Sequence, residues 1–291
     1  MNDPTASIAT ARSSVTTFTT ATGLNLSADI VGLQDAAPVL FLHGGGQTRG
    51  SWKSSLASVA AMGFRAIAYD ARGHGESDWS PDRDYRMAAF ASDLASILDE
   101  LRKPTVLIGA SLGGITSLLH LGERQSPWVR GLVLVDVAPR INPIGVERIL
   151  GFMAANPDGF ASIEEAAAAV SAYNPDRPRT ASTSGLAANL RMRQDRYFWH
   201  WDPAFLDDRR GDRALLQSRL EAAARRITVP ALLIHAGRSD VVTETEVRHL
   251  QKLMPHCRYH RIEKAGHMVS GDANTMFNGA IRRFLLDLPS A

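Results

Sequence analysis

Gly109-Ala110-Ser111-Leu112-Gly113 sets a hydroxyl among small residues where an apolar run, Val106–Ile108, meets a helical pattern carried by Ile115, Leu118 and Leu119. A serine on so sharp a strand-to-helix turn stands clear of its neighbours. The next backbone N–H, that of Leu112, lies at the helix N-terminus, where position and dipole suit it to an oxyanion. The same serine also suits a helix N-cap, so the pentapeptide alone leaves two uses open. Upstream, Leu42-His43-Gly44-Gly45-Gly46 closes another apolar run. Its glycines permit a tight turn with unobstructed N–H groups, the place for a second oxyanion donor, or they make a tight turn and nothing more. His43 reads as a support of that turn.

Two more polar residues follow strand-like runs. Leu232–Ile234 leads into Gly237-Arg238-Ser239-Asp240, and the alternating run Arg258–Ile262 leads to Gly266-His267-Met268. An acid just past a strand's carboxyl end reaches the same crevice as Ser111. A loop histidine is free to set its ring between that acid and the nucleophile. Singly, each is equally a surface carboxylate or a hydrogen-bonded loop imidazole. Together they give Ser, Asp and His in that chain order, each at a predicted strand end, a pattern for nucleophilic acyl transfer. Asp136, directly after Leu132–Val135, is the alternative acid. The reading here assigns the acid to Asp240 and leaves Asp136 to fix the start of the segment that follows.

Such residues need a scaffold. Val15–Thr20 and Leu24–Val31, rich in Thr and Val around Thr22-Gly23, read as a hairpin. Val39–Leu42, Ala66–Tyr69, Val106–Ile108, Leu132–Val135 and Leu232–Ile234 are short apolar runs without alternation. Strands buried on both faces look like this, and the intervening helices imply crossovers in a mostly parallel sheet. Phe90, Leu94, Ile97, Leu98 and Leu101 share one helical face, as do Phe277, Ile281, Phe284, Leu285 and Leu288. Pro104 ends the first helix and Pro230 precedes a strand.

Residues 138–211 break the rhythm and carry no strand signal. They hold an Ala-rich helical segment (Ser162 to Val170), a Pro/Arg/Ser-rich stretch (Asn174 to Ser184) and the aromatic cluster Tyr197, Phe198, Trp199 and Trp201. A structureless loop of that length does not belong in a compact domain, so the stretch reads as a helical subdomain inserted after a strand. The division is then 1–137 with 212–291 as one core and 138–211 as the insertion. The aromatic rings either wall an apolar pocket above Ser111 or form the insertion's own core. Arg140 is placed either for a substrate carboxylate or for solvent.

The ordered set of the His-Gly turn, Asp70-Ala71-Arg72-Gly73-His74-Gly75-Glu76-Ser77, the serine elbow, the late Asp and the late His resembles the α/β-hydrolases. Within them it is similar to the epoxide-hydrolase-like branch, which also holds esterases, lactonases, C–C bond hydrolases and perhydrolases. The resemblance covers about residues 15–288. It implies an α/β-hydrolase fold, with Ser111 as nucleophile, His267 as general base then acid, and Asp240 orienting His267. It further implies oxyanion donors at Gly45 and Leu112, a structural Asp70–Ser77 turn, and a helical cap at 138–211. Epoxide hydrolases and haloalkane dehalogenases carry an aspartate at the elbow. A serine there favours acyl transfer, so a small carboxylic ester or lactone is the expected substrate. A C–C bond hydrolase or a cofactor-free perhydrolase on the same triad, and a non-enzymatic ligand receptor on this fold, are the competing readings.

Bulk properties set the remaining bounds. A chain of 291 residues, 45% hydrophobic and 21% charged, is long enough to bury a core without staples. Net charge is +2 with no dense basic stripe, which speaks against nucleic acid. Cys257 is the only cysteine, so neither an intrachain disulfide nor a thiolate metal cluster is available. No metal constellation, glycine-rich phosphate loop or cofactor site is expected. Residues 1–14 lack a leader's apolar segment, and no run approaches the roughly 18 apolar residues of a membrane helix. The expectation is a cytoplasmic enzyme acting on a small molecule, with its oligomeric state open.

Overall fold

A computed structural model describes residues 13–124, 126–173, 184–208, 213–267 and 274–289. The chain opens with strands β1 (Ser13–Thr19) and β2 (Asn25–Val31). Strands and helices then alternate: β3 (Pro38–Leu42), α1 (Lys53–Ala60), β4 (Arg65–Tyr69), α2 (Met87–Leu101), β5 (Thr105–Ala110), α3 (Leu112–Glu123) and β6 (Val129–Val135). Six short elements follow, namely α4 (Pro143–Ala154), α5 (Ile163–Tyr173), α6 (Ser184–Ala187), β7 (Leu190–Arg193), β8 (Arg196–Trp199) and α7 (Phe205–Asp208). The chain continues through α8 (Arg213–Arg226), β9 (Ala231–Ala236), α9 (Glu244–Leu253), β10 (Arg258–Ile262) and α10 (Asn274–Leu286).

Eight of these strands form one sheet in the order β1-β2-β4-β3-β5-β6-β9-β10. The β1–β2 and β2–β4 pairs are antiparallel, and every pair from β4 to β10 is parallel. The apolar runs are continuous because both faces are covered. Leu40, Leu42, Leu107, Leu132, Leu134 and Leu233 enter the core beneath α2, α3 and α8. Their chain neighbours Val39, Phe41, Val106, Ile108, Val133 and Leu232 enter a second core with α1 and α10. Alternate side chains of a strand point to opposite faces, so an uninterrupted apolar strand is stable only between two helical layers. Each fully buried Leu, Ile or Phe contributes about 1.5–3 kcal/mol over an exposed one.

Helix α2 buries Phe90, Leu94, Ile97 and Leu98 and stops at Arg102, whose φ of 46° is left-handed and whose N–H donates to the Leu98 carbonyl. Pro104 therefore lies just beyond the helix that the periodicity predicts. Among the described residues no helix is long and apolar enough to cross a membrane.

The stretch between β6 and α8 differs from its sequence reading in one respect. The aromatic cluster does not lie on a helix: Tyr197, Phe198 and Trp199 form strand β8, paired antiparallel with β7. Gln194 and Asp195 make the turn, with φ of 48° and 61°. A two-residue hairpin with left-handed backbone at both central positions is usually announced by Asn-Gly or Asp-Gly. Here neither residue is glycine and the strands are four residues long, so no strand signal reaches the sequence. The hairpin is tied to the insertion's first half by reciprocal Phe160–Tyr197 backbone hydrogen bonds of 2.7 and 2.8 Å. The Ala-rich segment read as helical, Ser162 to Val170, forms most of α5. Most of the Pro/Arg/Ser-rich stretch, residues 174–183, lies outside the described residues.

Candidate active site

Ser111 joins β5 to α3 with φ 44° and ψ −110°, a conformation that L-residues rarely adopt. The turn can be this tight because its flanks have no side chains. A methyl at Gly109 would fall 2.5 Å from the Gly113 carbonyl oxygen, and one at Gly113 would collide with the Leu42 carbonyl. Two hydrogen bonds lock the turn into the sheet: Ser111 N–H donates to Val135 O at 3.4 Å, and Gly113 N–H to His43 O at 3.1 Å. Ser111 occupies the N-cap position of α3, yet its side chain makes no capping hydrogen bond. The hydroxyl is not used as a cap. Strain of roughly 1–3 kcal/mol held at one such residue points to use of its side chain.

Asp136 directly follows β6, and its φ of 47° turns the carboxylate back over the strand ends. Fully buried, it accepts the Ala236 N–H on Oδ1 at 3.0 Å, and its Oδ2 lies 2.6 Å from His267 Nδ1. The imidazole thus reaches from the loop after β10, across the end of β9, to the acid on β6. Asp240, the acid expected from the sequence, is elsewhere. Its carboxylate is 39% exposed and pairs with Arg148 of α4 at 2.8 Å. Three residues, Gly237 to Ser239, separate Asp240 from the end of β9, and the turn they form carries the side chain toward α4. That helix packs so closely that a methyl at Gly145 would lie 2.5 Å from the Asp240 carbonyl. Asp136 has no such excursion to make.

The glycine turn is fixed by three buried imidazoles. His43 donates from Nδ1 to Gly44 O at 2.8 Å and accepts the Ala71 N–H on Nε2 at 2.9 Å. His74 accepts the Gly46 N–H on Nε2 at 3.1 Å and turns Nδ1 to Arg72 O at 3.0 Å. His200, from the insertion, accepts the Gly75 N–H on Nδ1 at 2.8 Å and turns Nε2 to Gly46 O at 3.3 Å. Burial drives the pKa of His43 down and that of His200 to about 3, so both rings are neutral at physiological pH. Gly44 N–H is also spent, on Gln47 Oε1 at 3.0 Å. Among the described residues this leaves the Gly45 N–H without an acceptor. The Leu112 N–H, on the first residue of α3, has no carbonyl four residues back within the helix. Gly45 and Leu112 are therefore the available donors on either side of the His43–Gly113 bond.

Above the turn stands an apolar wall. A methyl at Gly45 would lie 3.2 Å from Phe205 Cζ, and one at Gly46 would meet Met153 and Trp201 at 3.0 and 3.3 Å. Trp201 is buried and stacks on Trp199, with ring centroids 5.1 Å apart and planes 12° apart. Trp199 lies one layer out, against Phe152 and Phe160. Met153 and Phe205 escape the sequence reading. Met153 extends the helical spacing of Val146 and Ile149, while Phe205 follows Pro203-Ala204 with no periodic neighbour to mark it. Arg140 lies 3.8 Å from Glu221 of α8, an ion-pair distance. The Asp70–Ser77 turn is structural, for Asp70 binds Arg49 and accepts the Glu76 N–H. His256 and His260 stand four apart around Cys257, a spacing that suits metal ligands only on a helix. Strand β10 extends that segment, and no three His, Cys, Asp or Glu side chains gather among the described residues.

Three comparisons bear on this arrangement. The sequence model of a family described as "alpha/beta hydrolase fold" matches residues 37–273. The esterase Rv0045c of Mycobacterium tuberculosis is 32% identical over 246 residues, covering 81% of this chain and 78% of its own. The sn-1-specific diacylglycerol lipase ABHD11 of Mus musculus is 27% identical over 254 residues, covering 85% of this chain and 80% of its own. Among solved structures, E-2-(acetamidomethylene)succinate hydrolase superposes with a TM-score of 0.82 over 94% of this chain and 99% of its own. At 21% identity that last likeness concerns the fold alone.

Proposed function

The chain belongs to the α/β-hydrolase family and is a hydrolase, and from that premise we propose that it cleaves carboxylic esters through an acyl-enzyme on Ser111. The observation that carries the reading is the Asp136–His267 pair on the same sheet edge as an uncapped, strained serine. The esterase at 32% identity supports the reaction class.

In the proposed sequence, His267 takes the Ser111 proton as Oγ bonds to the substrate carbonyl carbon. The carbonyl π electrons move to oxygen, and the Gly45 and Leu112 N–H groups donate to the resulting oxyanion. Collapse expels the alcohol, which receives its proton from His267. Water then repeats the cycle at the acyl carbon and releases the acid. Asp136 holds the Nδ1–H tautomer and stabilises the imidazolium that forms. Residues 138–211 serve as a cap, whose Met153, Trp201 and Phe205 give the turn an apolar side suited to short alkyl or aryl groups.

The test is a panel of p-nitrophenyl esters of rising chain length, with lactones and β-diketones alongside, on wild type and Ser111→Ala. Ester turnover should fall by roughly 10⁴-fold in the variant, since the triad acts as a unit. A fluorophosphonate should label wild type only. A variant retaining a tenth of the activity removes Ser111 from the mechanism, and turnover confined to β-diketones moves the reaction to C–C cleavage.

A further inference from the structure

Two of the three imidazoles around the glycine turn come from the core, and the third comes from the insertion. His43 follows β3 and His74 belongs to the Asp70–Ser77 turn. His200 stands just after β8, fully enclosed, with both ring nitrogens bonded to backbone of the core. Its contacts are selective. Nδ1 holds Gly75, and Nε2 holds the carbonyl of Gly46, one residue past the Gly45 donor.

The neighbouring residues seat this contact. Asp202 N–H donates to Gly73 O at 2.8 Å, and its carboxylate accepts the Tyr85 hydroxyl at 2.6 Å. Phe205 sets its ring edge-on to His74, with centroids 4.8 Å apart, while its far end faces Gly45. The chain from His200 to Phe205 thus grips both the Gly-Gly-Gly turn and the turn beneath it.

A peptide unit is rigid, so holding its carbonyl fixes where the N–H on its other side points. His43 fixes the Gly44–Gly45 unit through the Gly44 carbonyl. Without further ties the next two units could still rotate at glycine, whose backbone is the least restrained of any residue. His74 holds the Gly46 N–H and His200 holds the Gly46 carbonyl, one on each side of the same α-carbon. His43 thus holds the unit that carries the Gly45 N–H, His74 the unit after it and His200 the one beyond, so the turn cannot swing about Gly45 or Gly46.

We propose that His200 is a positioning residue of the reaction: it couples the inserted segment to the glycine turn and keeps the Gly45 N–H aimed at the developing oxyanion. This rests on the serine-esterase reading above. An oxyanion donor acts in the transition state far more than in the ground state. Loss of its support therefore lowers kcat while KM stays nearly constant.

Three substitutions separate this role from simple packing. His200→Gln keeps an amide that reaches the Gly46 side, His200→Asn keeps only the group at the Nδ1 side, and His200→Phe keeps ring volume with neither bond. With a p-nitrophenyl ester, Asn and Phe should lower kcat by about 10–10²-fold with KM within about threefold, and Gln should recover most of the loss. Inhibition by a trifluoromethyl ketone, whose serine adduct carries the oxyanion, should weaken in parallel. Binding of the unreactive alcohol analogue should not. Near-ultraviolet circular dichroism identifies the variants that fold, and Asn, which is smaller and polar, carries the comparison with Gln if Phe does not. Equal kcat in Gln and Asn, or ketone affinity unchanged in Asn, overturns the proposal. Ser111→Ala run in parallel tells the two failures apart: activity surviving there sinks the serine mechanism, whereas an inactive Ser111→Ala beside a fully active His200→Asn sinks only the role of His200.

Discussion

The Asp136 carboxylate divides its two oxygens between the Ala236 N–H, at 3.0 Å, and His267 Nδ1, at 2.6 Å. One bond ties the acid to the neighbouring strand and the other aims the imidazole, so ring and sheet move as one body. Asp136→Asn keeps the shape but offers His267 the wrong partner, and kcat/KM should drop about 10³–10⁴-fold. Asp240→Asn breaks only a half-exposed pair with Arg148 and should stay within about threefold of wild type. Ester kinetics on the two variants check this, and the reverse ranking would return the acid to Asp240.

Acid should destabilise this protein through its buried imidazoles. Burial lowers the pKa of His43, takes that of His120 to about 4 and takes that of His200 to about 3, against about 6.5 unfolded. Below pH 6.5 the unfolded chain binds protons that the folded chain refuses. The stability held by these neutral rings is full above that pH and is lost as pH falls toward the folded values. Each silent ring adds up to about 1.4 kcal/mol per pH unit to the slope. His120→Leu removes one such ring from the interior of α3, far from the reacting groups. Urea unfolding at pH 6.5, 5.5 and 4.5 should give a shallower slope for the variant by about that amount. The carboxylates are common to both proteins and cancel in the difference.

Chain-length preference should answer to Phe205 and Trp201, which face Gly45 and Gly46. Phe205→Leu or Trp201→Phe opens space beside the glycine turn. Each added methylene that finds apolar cover is worth about 0.8 kcal/mol, or roughly fourfold in kcat/KM. The optimum in the ester series should move to longer chains in both variants. Trp199→Phe, one ring further out, should lower the melting temperature without moving the optimum. An unchanged optimum in all three would make the aromatic set core alone.

How much of this was legible depends on the range of the interaction. The parallel strands show because runs such as Val39–Leu42 are apolar on both faces, a local property. The serine elbow shows because Gly109 and Gly113 answer a steric demand within five residues. The choice between Asp136 and Asp240 does not, because it turns on how a three-residue excursion after β9 packs under α4. Nor does the β7–β8 hairpin, whose turn residues Gln194 and Asp195 adopt left-handed backbone without glycine. His200 and Phe205 carry no signal at all. Their importance comes from partners more than 120 residues away in sequence, as the Gly75–His200 bond illustrates.

The left-handed backbone of Ser111 places the proposed nucleophile at odds with the scaffold that displays it. Glycine adopts φ 44° far more readily than serine, and the serine hydroxyl caps nothing. Ser111→Gly should therefore unfold at a higher temperature than wild type, by a few degrees, while hydrolysing nothing. Thermal melting of the two proteins checks this, and a lower Tm in the variant would contradict it. Heat tolerance and turnover pull in opposite directions at this one position, so a screen for thermal survival alone would tend to breed inert descendants of this enzyme.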